Sequence, residues 1–141
     1  MAENKQYCTF GISGYTFGAA ADSVQEIVTN NTITPVPLAP PDISGLLNVR
    51  GQIVTAINLR RRLGITNSDS KTGVHILVRG GDSTVSLFAD LVEDVMDINS
   101  ADVEPVPDTV DPSIKAFVDG VYKTNDKLIL LLNVNKAVMT E

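Results

Sequence analysis

Val24-Gln25-Glu26-Ile27-Val28, followed by Pro35-Val36-Pro37 and Ile43-Ser44-Gly45-Leu46-Leu47, is echoed downstream in the same order. The echo reads Val92-Glu93-Asp94-Val95-Met96, then Pro105-Val106-Pro107, then Ile114-Lys115-Ala116-Phe117-Val118. Each copy closes on an apolar strand, an Asn and a short polar tail, Ile57-Asn58-Leu59-Arg60 and Leu132-Asn133-Val134-Asn135. The offset grows from 68 through 70 and 71 to 75, the drift expected of a duplicated β-module with one lengthened hairpin. Four blocks in one order are hard to obtain by chance. Two similar lobes side by side enclose a cleft and present two unlike edges, which suits an adaptor better than a catalyst.

Working outward, Tyr7 to Ile12 and Tyr15 to Ala20 flank Ser13-Gly14 as a hairpin. Ser23 and Glu26 make a capping box, and Ala21, Val24, Ile27 and Val28 recur at helical spacing. These signals predict a short helix from Ala21 to Thr29, ended by Asn30-Asn31. Thr32 to Pro37 reads as an edge strand, and Ala39-Pro40-Pro41-Asp42 as a turn. Leu46 to Arg50 and Gln52 to Asn58 form a second hairpin around Arg50-Gly51. Leu59 to Leu63 is one helical turn, capped by Asn58 and stopped by Gly64.

Thr66 to Gly73 is polar and reads as a loop between the halves. Val74 to Val78 and Thr84 to Ala89 are strands about a turn at Gly80-Gly81-Asp82, and Glu93 to Ile98 is a strand or a helix. Ile114 to Lys123 and Lys127 to Asn133 make the last hairpin. Many short strands punctuated by Gly, Pro and Asn predict small β-barrels, not an α/β sheet. The lobes are assigned within a single domain over 1–141, with 21–65 in one and 7–20 with 74–141 in the other.

Composition narrows the function. With 43% hydrophobic and 20% charged residues the chain is globular. It has no apolar run long enough to cross a membrane, its first residues lack a signal peptide's apolar core, and its one cysteine, Cys8, has no disulfide partner. The expectation is a cytoplasmic protein without membrane insertion. Net charge is −6, which opposes nucleic-acid binding. Residues 27–68 carry four arginines against Asp42 alone, whereas residues 80–114 carry nine acids and no Lys or Arg. Ordinary solvated surface and a basic lobe facing an acidic one both account for that split.

The search for chemistry is mostly negative. His75 is the only histidine, and it lies among Val74 and Ile76 to Val78 in a predicted strand apart from that of Cys8. A nucleophile pair therefore has little to stand on. No phosphate-binding loop, zinc spacing or dinucleotide fingerprint is present, so no catalytic residue, metal site or cofactor is assigned. Asp90, Glu93, Asp94 and Asp97 lack the alternation and central Gly of a calcium loop and read as a solvated face. Arg60 and Arg61 read as solvating an exposed turn, and Arg62 as the cation at a helix end. Arg50, at a hairpin tip beside Gly51, fits either a partner's carboxylate or plain turn filler.

The string Gly45-Leu46-Leu47-Asn48-Val49-Arg50-Gly51-Gln52-Ile53-Val54, continuing to Asn58-Leu59-Arg60, resembles the CheW family of chemotaxis coupling proteins. Val24 to Ile27, Pro35-Val36-Pro37 and Leu128 to Val134 fit it too, so the likeness runs over nearly the whole chain. Thr55 and Asn58 depart from it, standing where the family usually has proline and aspartate. The resemblance implies a mostly β fold of two intertwined five-stranded SH3-like barrels with a few short helices, and no catalytic activity. It implies binding to the regulatory domain of a CheA-type histidine kinase through Val36, Gly45, Asn48 and Arg50. It implies binding to a chemoreceptor's cytoplasmic tip in a groove lined by Ala21, Val24 and Ile27, faced by Ala89 and Val92. Recruitment to membrane receptor arrays, in rings alternating with the kinase, would follow. A coupling protein for a non-swimming chemosensory pathway and a small metabolite-binding barrel are the alternatives. An RNA-binding barrel is disfavoured by the acidic charge and by only four Phe, three Tyr and no Trp.

Overall fold

A computed structural model describes residues 3–29, 32–65, 73–80 and 83–138. Strands β1 (Asn4–Ile12) and β2 (Tyr15–Ala20) form the first hairpin. A 3-10 turn, Ala21–Ser23, leads into β3 (Val24–Val28), β4 (Ile33–Thr34), β5 (Ile43–Val49), β6 (Gln52–Ile57) and helix α1 (Leu59–Arg62). Strands β7 (Val74–Gly80), β8 (Ser83–Ala89) and β9 (Leu91–Asn99) follow. After a second 3-10 turn, Ser100–Asp102, come α2 (Pro112–Lys115), β10 (Val118–Lys123), β11 (Leu128–Leu132) and α3 (Val134–Val138).

The strands make two sheets, ordered β10-β11-β2-β1-β9 and, read in the matching direction, β4-β5-β6-β8-β7-β3. Setting β4 aside, the two orders are equivalent strand for strand. In each, one antiparallel pair is a hairpin borrowed from the other half of the chain. The β1–β2 hairpin completes the sheet of β9 to β11, and the β7–β8 hairpin completes that of β3 to β6. The barrels are thus intertwined. We call residues 24–89 the central lobe and the remainder, which holds both termini, the terminal lobe.

Sheet membership corrects the lobe assignment read from the sequence. The segment 74–89 was expected beside 7–20, but β7 pairs with β3 and β8 pairs with β6, so it belongs with 24–57. The sheets divide at Asp90, not near Gly73. The expected loop at 66–72 and the Gly81-Asp82 part of the expected turn lie outside the described residues.

Register shows where the duplication holds. Val24 pairs with Val78 and Val92 with Phe10, so each partner is displaced by 68. The parallel pair Val85–Thr55 matches Phe17–Leu130 at offsets 68 and 75. Both closing hairpins carry a bulge at the same point, between Ile43 and Gly45 and between Val118 and Gly120, again at 75. The expected match of 43–47 with 114–118 is therefore out of register by four residues, and no hairpin has lengthened. The inserted residues lie upstream of β10, in the connection that carries α2. Asp111 caps α2, accepting from the Ser113 N–H, and Pro112 occupies its first turn, so Ile114 enters a helix, not the expected strand.

The expected helix at 21–29 is also overturned. Only Ala21–Ser23 turn, and Val24–Val28 extend along β7. Three of those five residues are β-branched, and pairing with a buried strand outweighs a capping signal. Three apolar clusters organise the molecule. Leu47, Val49, Val54 and Leu77 fill the central barrel, and Ile98, Ile129 and Leu131 fill the terminal one. Between the lobes lies the largest, with Phe10, Phe17, Ile57, Leu87, Ile114 and Leu130 among its members.

Candidate docking surfaces

The β5–β6 connection is two residues long, Arg50-Gly51, with φ of 50° and 85°. Both central residues have positive φ, the signature of a type I′ hairpin turn. The Asn48 Oδ1 accepts from the Gly51 N–H at 2.9 Å and fixes the turn. Arg50 is thereby held on a stiff tip, its side chain 75% exposed and its guanidinium paired with Glu26 on β3. The sequence left partner contact and turn filler equally open. An arginine in the left-handed region, which costs backbone strain, makes a poor filler.

Beside that tip the outward face of β5 and β6 is bare. Leu46 lies opposite Thr55 and Asn48 opposite Ile53, with Ile53 59% exposed. Val36 and Leu38, in the link from β4, are exposed as well. Sequence reasoning singled out Val36 and Asn48 here but missed Leu46 and Ile53. Strict alternation against buried Leu47, Val49 and Val54 was the signal that could have found them.

Gly45 is not part of this open surface. It is buried at the β5 bulge with φ of +148°, and a Cβ there would meet the Thr34 carbonyl oxygen at 2.3 Å. Its role is to let β4 approach β5. Gly120, its counterpart, does the same for the Glu104–Val121 bridge: a Cβ would meet Val103 Cγ1 at 2.7 Å.

The second set of residues is less uniform than a helix face would make it. Ile27 is 42% exposed on the outer strand β3, whereas Val24 packs against the shared core and Ala21 is half-buried in the 3-10 turn. Val92 packs against the same core, and Ala89 is 1% exposed within it. Ala89 therefore supports this region from beneath and presents no surface of its own. A bulge between Val24 and Glu26 shifts the register of β3 on β7 at this point.

Two arginines serve the fold. Arg60 was expected on an exposed turn, but its side chain is buried at 8% exposure. Its guanidinium donates to Asp90 and to the Ser13 hydroxyl, and Asp90 accepts the Ser13 N–H at 2.8 Å. The crossover between lobes at Asp90 is thus clasped to the β1–β2 turn and to α1. Arg62 donates to Asp42 and, at 2.8 Å, to the Ala137 carbonyl, so it neutralises the end of α3 and not only its own helix. His75 is 3% exposed, its Nδ1 3.0 Å from the Ser86 hydroxyl and its ring against Phe88. Burial lowers its pKa from the usual 6.5. Cys8 is buried in β1, which raises its thiol pKa.

These features form two lobes joined at a clasp, with a bare hairpin face on one of them. The CheW-like domain family matches residues 6–140. The chain belongs to this family. It is 30% identical over 132 residues to the chemotaxis protein CheW of Thermotoga maritima, covering 92% of this chain and 85% of that one. The chemotaxis protein CheW of Helicobacter pylori is 28% identical over 132 residues, covering 93% and 79%. The crystal structure of the scaffolding protein TtCheW from Thermoanaerobacter tengcongensis superposes with a TM-score of 0.86 at 31% identity, over 99% of this chain and 95% of that one. The CheW-like fold, mostly β and built of two barrels, is thus the one the sequence implied.

Proposed function

We propose that the chain is a non-enzymatic chemotaxis adaptor, coupling chemoreceptors to a CheA-type histidine kinase within signalling arrays. The observation that carries this reading is a CheW-like match over residues 6–140 together with an exposed apolar face on a two-residue hairpin. The kinase's regulatory domain docks on the central lobe, where Arg50, Asn48 and Val36 combine a guanidinium with exposed apolar surface. Leu46 and Ile53 extend that contact, and Gly45 maintains it from within. The receptor tip packs along Ala21, Val24, Ile27 and Val92, with Ala89 beneath, as apolar anchors take an amphipathic helix. The protein acts in the cytoplasm and is drawn to the membrane by its receptors; among the described residues no helix is long and apolar enough to cross one.

Co-sedimentation with receptor-containing membranes and purified kinase tests the reading. Both partners should pellet together only when the chain is present, and kinase autophosphorylation should then respond to receptor ligand. Recovery of the same response without the chain would reject the coupling role. Charge follows the lobes: the central one has six basic against four acidic residues, +2, and the remainder five against thirteen, −8. Unlike lobes favour the heterologous, head-to-tail contacts that close into rings with the kinase.

A further inference from the structure

The duplication makes each lobe a control for the other, and one position differs in a way that leaves a hollow. In the central lobe His75 pairs across the ladder with Phe88, and their rings lie 4.9 Å apart. Phe88 reaches over Gly73, where a Cβ would be only 2.8 Å from its Cζ. Displaced by 68, the same pair in the terminal lobe is Tyr7–Ala20, and the residue matching Gly73 is Lys5. The ring is gone. A cavity of about 410 Å³ opens there, floored by Ala20, Val103, Leu131 and Val134 and rimmed by polar groups including Lys5 and Asn135.

We infer that this hollow is a socket for an aromatic side chain, phenylalanine or tyrosine, presented by a partner protein. The twin lobe supplies the template, since the same strand framework is completed there by a phenyl ring. An apolar floor within a polar rim is the form of a pocket that takes one anchor residue. The occupant comes from outside the chain: all seven aromatic residues lie within described segments and have places elsewhere or in the wall itself. The socket lies beside Ser23, on the terminal lobe, away from the hairpin face of Leu46 and Ile53. Its Ala20 and Ser23 are chain neighbours of Ala21 and Val24, so the socket borders the receptor surface proposed above.

Amide chemical-shift titration of the full-length chain tests this with N-acetyl-phenylalaninamide as probe. Shifts should concentrate at Tyr7, Ala20, Ser23, Ser100, Asn133 and Asn135 and saturate, with N-acetyl-alaninamide about tenfold weaker. Ala20→Phe, which recreates the central lobe's arrangement, should abolish the response. Asn135→Trp, on the exposed rim, should do the same and serves if Ala20→Phe does not fold. Scattered shifts, equal binding of the alanine probe, or an unchanged response in the folded variants would overturn the inference. Binding of free phenylalanine but not the capped form would also overturn it, marking a metabolite site instead.

Discussion

The outward face of the closing hairpin is bare in the central lobe and covered in the terminal one. Leu46, Ile53 and Thr55 correspond, at offset 75, to Val121, Leu128 and Leu130. Leu46 is 36% exposed and Val121 fully buried, although both sit at the same place in the same ladder. The difference lies in the connection before the hairpin. Pro37 is followed by five residues before β5, and Pro107 by ten before β10. The longer connection carries α2, and with it Val110, Ile114 and Phe117 join the cluster that includes Val121 and Leu130. A few residues of loop thus decide which copy of a duplicated barrel keeps an apolar face exposed.

The two lobes should differ most at the bulge glycines. Gly45→Ala combines a left-handed φ with a contact at 2.3 Å to a backbone oxygen that cannot move aside without losing β4. It should cost roughly 3 kcal/mol, whereas Gly120→Ala, facing the Val103 side chain first, should cost about half as much. Urea unfolding of the two variants checks this, and equal losses would mean that the bulges are not equivalent in the way the register implies. A kinase-binding defect in any Gly45 variant should be read only after this measurement.

A smaller effect separates the two hairpin faces themselves. Val121→Ala should destabilise by about 2 kcal/mol, since it empties part of a packed core. Its twin Leu46→Ala, at an exposed position, should stay within about 0.5 kcal/mol although it removes more atoms. Paired denaturation curves decide the matter, and matching losses would show that Leu46 is covered in solution.

How far the sequence foresaw this is clearest along β5 to α1. The hairpin at Arg50-Gly51, the Asn58 cap and the Gly64 stop are local chemistry, and each is where the spacing puts it. Swapping of the hairpins is not local. Nothing within 74–89 says that it pairs with β3 and β6, because the competing pairing uses the same alternating apolar residues. Segment 21–29 was misread for a related reason: its capping box is a local signal, and with β7 alongside, Glu26 pairs with Arg50. Arg60 failed differently. Its carboxylate partner is thirty residues away and is brought near only by the crossover.

The smallest effect concerns pH and again divides the lobes. His75 holds a lowered pKa by burial, and the terminal lobe has Tyr7, not a histidine, at the matching position. Below the usual 6.5 the unfolded chain takes up a proton that the folded chain refuses. The stability His75 contributes is therefore fully present above that value and is lost as pH falls towards its lower folded pKa. His75→Gln should flatten the pH dependence of unfolding in that window. A slope unchanged by the substitution would assign it to other groups.

Ile53→Asp places a charge on the bare face. Titration calorimetry of the variant against the regulatory domain of a CheA-type kinase should show affinity reduced at least about tenfold, or roughly 1.4 kcal/mol, with thermal unfolding unchanged. A folded Ile53→Asp protein that binds the kinase as tightly as the wild type would contradict the account.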